Sequence, residues 1–143
     1  MTVFARRLAL IVALSCSFTW VGLGETQARK DGTAYDLFLV PLTELDRAVV
    51  ESEEAGFAKI LTRKGSDQIL GATILGPHAG DLLHEFVLAM NAKIGLGKIA
   101  ATIHAYPTFA ELARKAGDKY NKTRLTPRAK KLFAWLYRRA RRG

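Results

Sequence analysis

The sequence is poor in cysteine: Cys16 is the only one among 143 residues. One thiol excludes an internal disulfide, a cysteine-based zinc site and a redox-active cysteine pair within this chain, because each needs at least two cysteines. The sequence also has no GxGxxG segment, the loop that usually holds the phosphates of a flavin or nicotinamide nucleotide. We therefore expect that the chain alone binds neither cofactor and does not turn over a redox substrate.

Long apolar runs are missing too. The run at residues 8–14 follows Arg6 and Arg7, which is the outline of a signal peptide. It is too short for a membrane span, which needs about 20 apolar residues. Two interpretations of residues 1–19 stay open: a signal-like leader, which predicts export, or the start of a truncated reading frame, which predicts a cytoplasmic protein.

Apolar residues make up 49% of the sequence and charged residues 24%, as in an ordinary globular domain. The formal net charge of +9 is concentrated at the end, because residues 111–143 hold 12 Lys or Arg and 2 acidic residues. The pair Thr126-Pro127 predicts the start of a basic helix over residues 126–143. Its inward face is expected to comprise Ala129, Leu132, Phe133, Leu136 and Tyr137.

Such a basic helix has three possible roles. It could bind nucleic acid through phosphates, lie on an anionic membrane surface, or form a solvated face. Trp135 and Tyr137 among the arginines resemble an interfacial helix. Because charge runs usually form a solvated face, we expect no specific nucleic acid partner and only weak membrane-surface association.

The hydrophobic pattern predicts an α+β fold. Strands are expected at residues 21–23, 35–40, 57–63 and 68–75. Helices are expected at residues 25–31, 77–95 and 109–120. Gly71 and Gly76 are the positions where a bulky side chain should be tolerated least. The prediction is an antiparallel sheet of about four to five strands, with the two long helices packed on one face.

Residues 102–112, TIHAYPTFAEL, place unusual side chains close together. A residue before proline is pushed out of the helical region, so the chain should turn at Tyr106 from an extended segment into a helix. Pro107 or Thr108 is expected to cap or begin that helix. Glu111 then lies in its first turn, where the macrodipole favours an anion, and Tyr106 faces away at the mouth of the turn.

This stretch resembles the signature of the C-terminal dimerisation domain of the pyridine nucleotide-disulfide oxidoreductases. These flavoenzymes include dihydrolipoamide dehydrogenase, glutathione reductase and mercuric reductase. WVGLGETQA at residues 20–28, GFAKIL at 56–61 and ILGATILGPHAGDLLHE at 69–85 are similar to that domain in order and spacing. The resemblance therefore predicts a dimerisation domain over residues 20–125.

One departure from the family motif bears on mechanism. The usual motif has a histidine before the proline and a glutamate five residues after that histidine, a dyad that reaches into the partner subunit's disulfide site. Here Glu111 holds the glutamate position, but Tyr106 holds the histidine position. A phenol has a reference pKa of about 10 against about 6.5 for imidazole, so Tyr106 is a poor proton shuttle at neutral pH. Tyrosine here resembles the mercuric reductase branch, although that branch's C-terminal cysteine pair is missing.

The resemblance implies a two-fold dimer in which Tyr106 and Glu111 serve the partner subunit's active site. It also implies that Tyr106 and Pro107 lie near the flavin and are joined by a cis peptide. FAD and NAD(P)H would be bound by a full-length enzyme, of which this chain would be an interface fragment, inactive alone. Its partners would be a second copy or the missing FAD- and NAD-binding domains. The alternative is a small exported or membrane-surface-associated binding protein that keeps the domain as a dimerisation module.

The histidines predict no metal site. His78, His84 and His104 give no two ligands one helical turn apart, and no cysteine assists them. We expect surface or core histidines.

Overall fold

The computed structural model describes residues 17–124, 134–135 and 137–141. Its strands are β1 (Ser17–Gly22), β2 (Tyr35–Pro41), β3 (Phe57–Arg63) and β4 (Ile69–Gly76). Its helices are α1 (Glu25–Lys30), α2 (Asp46–Val50), α3 (Ala79–Asn91), α4 (Leu96–Ala101) and α5 (Glu111–Thr123), with a 3-10 turn at Leu42–Glu44. The strands form one antiparallel sheet in the order β1-β4-β3-β2, which confirms the predicted α+β class.

The central hairpin forms as predicted, since β3 pairs with β4 from Phe57 opposite Leu75. Its turn is tied to the neighbouring strand because Asp36 on β2 accepts a hydrogen bond of 2.8 Å from the Gly65 backbone N–H. The edge strand β1 is longer than predicted and begins at Ser17. Residues 17–19, assigned above to the leader, therefore pair with β4, while residues 1–16 lie outside the described part of the chain.

One face of the sheet carries the core. On β2, β3 and β4 its buried side chains alternate with side chains that point to the opposite face, as expected for an antiparallel sheet. They are Phe38, Val40, Ala58, Ile60, Ala72 and Ile74. The helices supply the facing layer with Leu83, Phe86, Leu96, Leu112, Ala113 and Ala116. Each of the larger side chains contributes roughly 1.5 to 3 kcal/mol by leaving water.

Helix α1 lies over the opposite face of the sheet. Ala58 and Ile60 point into the core, so Lys59 between them points away from it, and the Lys59 Nζ lies 3.1 Å from Glu25 Oε2 on α1. Ala28 of α1 is fully buried. The two long helices thus share one face as predicted, and a short third helix covers part of the other.

The predicted helix over residues 77–95 is wrong at both ends. His78 adopts the left-handed conformation with φ 56°, so α3 begins at Ala79. A Schellman motif ends it: Lys93 also has φ 56°, and the Ile94 N–H donates to the Ala89 carbonyl at 2.7 Å. Gly95 does not end this helix but precedes α4, a short helix that the hydrophobic pattern did not predict.

Three glycines mark where the backbone allows no side chain. A Cβ on Gly71 would come 2.2 Å from the Leu23 carbonyl oxygen, and one on Gly76 would come 2.5 Å from Leu42 Cδ1, which confirms both predictions. Gly117 lets α5 pack directly on α4, because its Cβ would lie 2.5 Å from the Leu96 carbonyl oxygen.

The basic C-terminal helix lies largely outside the described residues, including Ala129, Leu132, Phe133 and Leu136. Residues 134–135 and 137–140 are helical, and Trp135 and Tyr137 are exposed with Arg139 and Arg141 over their rings. The inward placement predicted for Tyr137 is therefore wrong. Within the described ranges, no helix combines the length and the hydrophobicity that crossing a bilayer requires.

Candidate functional site

The loop between α4 and α5 is the candidate site. Tyr106 stands out from it with 68% of its surface exposed, and the Tyr106-Pro107 peptide is cis, as predicted. The predicted cap is wrong: the Thr108 hydroxyl donates to the Ala105 carbonyl at 2.7 Å, within the loop. With that hydroxyl engaged, α5 begins at Glu111 rather than at residue 109, and its cap residue makes no side-chain hydrogen bond.

Buried residues hold the loop on both sides of Tyr106. The side chain of His104 is 6% exposed, and its Nε2 and Nδ1 lie 2.9 Å from Glu85 Oε1 on α3 and from the Thr102 carbonyl oxygen. Each ring nitrogen of His104 thus faces an oxygen atom. Phe109 is buried on the other side, with its ring centre 5.2 Å from that of His78. The backbone on both sides of the exposed Tyr106 is therefore held in place by buried side chains.

The Tyr106 phenol contacts a carboxylate from a distant part of the chain. Its O–H donates to Asp46 Oδ2 at 2.7 Å, from the loop to the first residue of α2. This hydrogen bond, the charge of Asp46, partial burial and, last, the charge of Glu111 raise the pKa of Tyr106 above 10.0. The phenol is therefore neutral at physiological pH. Because its proton is engaged by Asp46, its lone pairs remain to accept a hydrogen bond from a facing surface.

Glu111 is placed differently from Tyr106. It is 2% exposed, and its Oε1 accepts a hydrogen bond of 2.8 Å from Arg114 Nη2. The ion pair raises the pKa of Arg114, which also binds Asp118 at 3.2 Å. Within the described part of the chain, Glu111 Oε2 has no hydrogen-bond partner. The two predicted site residues are thus close in sequence but belong to separate pairs, and their catalytic role stays a prediction.

Sequence reasoning missed both partners. The pair Glu111 and Arg114 is spaced i,i+3 on a helix, a spacing that favours an ion pair and could have revealed it. Asp46 gave no local signal, because it lies 60 residues from Tyr106 in a segment with mixed helix and strand preferences. Only the fold brings it to the loop.

The histidines fall largely where predicted: His84 is exposed and the ring of His104 is buried. The structure adds a grouping that their spacing did not predict, since one ligand atom each of Glu51, Glu53 and His78 lies within 4.8 Å of the others. His78 and Glu51 are exposed, and Glu51 is already ion-paired with Arg47. We therefore assign no metal to this group.

Comparison with known proteins covers about three quarters of the chain. The family model described as pyridine nucleotide-disulphide oxidoreductase, dimerisation domain, matches residues 9–116. The mitochondrial dihydrolipoyl dehydrogenase of Dictyostelium discoideum is 39% identical over 104 residues, which are 72% of this chain and 21% of that protein. The human mitochondrial enzyme is 38% identical over 97 residues, 68% of this chain and 19% of that protein. The chain therefore spans about a fifth of the length of these relatives.

Solved structures show the same fold at lower identity. LpdA from Mycobacterium tuberculosis superposes with a TM-score of 0.67 at 22% identity, over 72% of this chain and 22% of that one. The Cu(II) complex of the HOCl-induced flavoprotein disulfide reductase RclA from Escherichia coli gives 0.66 at 22% identity, over 71% and 23%. Together the comparisons favour a reductase dimerisation domain over the exported binding module.

Proposed function

We propose that this chain is the interface part of an FAD-dependent, NAD(P)H-using reductase of the disulfide or mercuric type. The premise is that the chain belongs to the dimerisation-domain family of the pyridine nucleotide-disulfide oxidoreductases. The observation that carries this proposal is the family match across residues 9–116. In this proposal FAD and NAD(P)H are held by the rest of the enzyme. The chain pairs with a second copy and is inactive by itself.

The Tyr106-Pro107 loop is proposed to enter the active site of the partner subunit, near the flavin. The support is geometric: the phenol is the exposed tip of a loop whose neighbours, His104 and Phe109, are anchored in the fold. Its raised pKa keeps Tyr106 neutral, so its role there is hydrogen bonding and positioning rather than proton transfer. Glu111 supports the loop from the buried start of α5.

The compartment and domain limits follow the same proposal. An enzyme that draws on NAD(P)H fits a cytoplasmic location. The division into a leader at residues 1–19, a dimerisation domain at 20–125 and a basic helix at 126–143 stays a prediction.

Mixed dimers test whether the loop acts on the partner subunit. One subunit carries Tyr106→Ala, and the other lacks the redox cysteines of the flavin-bearing part. Each homodimer should be nearly inactive, whereas a mixed dimer combines one intact loop with one intact cysteine pair across the interface. We expect NAD(P)H oxidation to return to about half of the wild-type rate per dimer, because one of the two sites is complete.

A matched control separates the loop from general aromatic exposure. Tyr137 is 66% exposed, close to the value for Tyr106, and Tyr137→Ala should leave the rate unchanged. Mixed dimers as inactive as their parents would overturn the placement of the loop in the partner's site. A flavin-free, monomeric preparation of the assembled protein would overturn the proposed function as a whole.

A further inference from the structure

The carboxylate that contacts Tyr106 is not the one that the sequence motif places beside it. Asp46 receives the phenol hydrogen bond at 2.7 Å, whereas Glu111, five residues after Tyr106, is occupied by Arg114 at 2.8 Å. Burial separates the two groups further, because Glu111 is 2% exposed and Tyr106 is 68% exposed. The replacement of the motif histidine by tyrosine is therefore accompanied by a different acidic partner.

Asp46 is well placed to fix the direction of the phenol. Its backbone lies between two core residues, since Leu45 precedes it and Ala48 follows within the same turn, and both are fully buried. The neighbouring Glu44 is bound to Lys119 of α5 at 2.7 Å, which ties this segment to the helix that follows the loop. The acceptor is thus fixed to the scaffold, while the donor lies on the exposed loop.

We propose that Asp46 is the positioning residue of the Tyr106 loop: its carboxylate holds the phenol O–H, fixes the ring, and leaves the phenol oxygen as an acceptor for the surface that the loop meets. Glu111 has no direct part in this hydrogen bond. The consequence for recognition is that the facing group must donate a hydrogen bond to Tyr106, because the phenol's own proton is already engaged. The role of the loop in meeting another surface rests on the proposed function, whereas the hydrogen bond between Asp46 and Tyr106 does not.

The charged groups that act on the phenol come from two elements. Among the described residues they are Asp46 of α2, with the larger effect, and Glu111 of α5, with a smaller charge effect. Replacing each of them in turn therefore separates the two carboxylates. Both substitutions, Asp46→Asn and Glu111→Gln, remove one negative charge and nearly preserve the shape of the side chain.

The test is a phenol titration of the full chain, which needs neither cofactor nor partner. Tyrosine ionisation is followed by carbon NMR of ring-labelled protein, and the Tyr106 signal is assigned by its loss in Tyr106→Phe. We expect Asp46→Asn to lower the Tyr106 pKa toward its ordinary value and Glu111→Gln to lower it less. Asp46→Glu, which keeps the charge but lengthens the side chain, should give an intermediate value.

Two results would overturn the proposal: an unchanged Tyr106 pKa in Asp46→Asn, or a larger fall in Glu111→Gln than in Asp46→Asn. Asp46 is exposed, so its variants should fold, and the amide spectrum of each sample checks this. If Glu111→Gln fails to fold, wild type, Asp46→Asn and Asp46→Glu still decide whether Asp46 holds the phenol.

The assembled reductase supplies a second readout. There Asp46→Ala, which removes the acceptor of the phenol O–H, should lower kcat while flavin content and dimerisation stay at wild-type levels. Asp46→Asn, whose amide oxygen can still accept that hydrogen bond, should lose less. An unchanged kcat would overturn the positioning role. A failed titration alongside successful mixed-dimer complementation would refute the Asp46 contact and leave the proposed function intact, whereas the reverse would refute only the function.

Discussion

The two faces of the sheet differ in how much of each is covered by helices. On one face, Phe38, Val40, Ile60 and Ile74 are 0 to 6% exposed beneath α3 and α5. On the other face, large apolar side chains remain open to solvent. They are Phe18 and Trp20 at 61% and 62% exposure and Leu37 and Leu39 at 39% and 43%.

Strand register shows that the open side chains lie at the two edges of this face, with polar side chains between them. Trp20 lies opposite Thr73 on β4, which pairs with Lys59 on β3, which in turn pairs with Leu39 on β2. Phe18 and Trp20 on β1 do lie together, with ring centres 5.8 Å apart, and exposed apolar patches often mark contact surfaces. Among the described residues, one face of the sheet is thus closed by helices and the other is covered only in part.

The largest loss of stability should come from removing a large side chain from the core on the closed face. Phe86→Ala removes a fully buried ring from α3 and should cost about 3 to 5 kcal/mol in the free energy of unfolding. Urea denaturation followed by circular dichroism measures it. Leu88→Ala on the same helix, at 67% exposure, is the control and should stay within about 0.5 kcal/mol. Similar losses for both variants would contradict the assignment of the core face.

A smaller loss of folding stability is expected from a substitution at the contact between α4 and α5. Gly117→Leu places a side chain against the Leu96 carbonyl oxygen and the Ala100 Cβ, at 2.5 and 2.8 Å from the new Cβ. Forcing the helices apart should cost about 1 to 3 kcal/mol. Gly80→Leu, at a helical glycine with open space around its Cβ position, is the matched control. Equal stability of the two variants would refute the close helix contact.

The closed face could be predicted from the sequence. Leu83 and Phe86 recur at helical spacing, and residues 35–40 are rich in side chains that favour strands, so local patterns predicted a helix and a strand here. The ends of α3 could not be predicted in this way, because they depend on left-handed residues. His78 and Lys93 each adopt φ 56° with side chains that rarely favour it, where a glycine would have signalled the break.

For the candidate site, too, some features could be predicted from the sequence and others could not. The motif predicted the loop, its cis peptide and the place of Glu111 at the start of a helix. The contact between Tyr106 and Asp46 could not be predicted, since it depends on how β2, the turn after it and α5 pack together. An interaction across 60 residues leaves no trace in local spacing.

The open face should control self-association. In Phe18→Ser/Trp20→Ser, sedimentation velocity should show less concentration-dependent association than in the wild type, because two large apolar side chains leave the patch. Folding stability should change little, since both rings are already more than half exposed. Trp135→Ser, at 51% exposure on the C-terminal segment, is the control for a general loss of aromatic surface. If association is unchanged, the open face is not the contact surface.

The smallest expected effect is at the ion pair through which α1 covers part of the open face. Hydrogen bonds from Lys59 first and Arg29 second lower the pKa of Glu25 below 4.5. Since the folded-state pKa is the lower one, the pair stabilises the fold above the unfolded-state pKa, and that contribution is lost as the pH falls through the folded-state pKa. Glu25→Gln should therefore be slightly less stable than wild type at pH 7, and the difference should vanish in acid.

Thermal denaturation at a series of pH values measures this difference. Because Glu25 is solvent-accessible, added salt should shrink the difference as well. Glu54→Gln removes an exposed carboxylate from the loop before β3 and is the control. A gap between Glu25→Gln and wild type that persists at low pH would contradict a contribution that depends on the charge of Glu25.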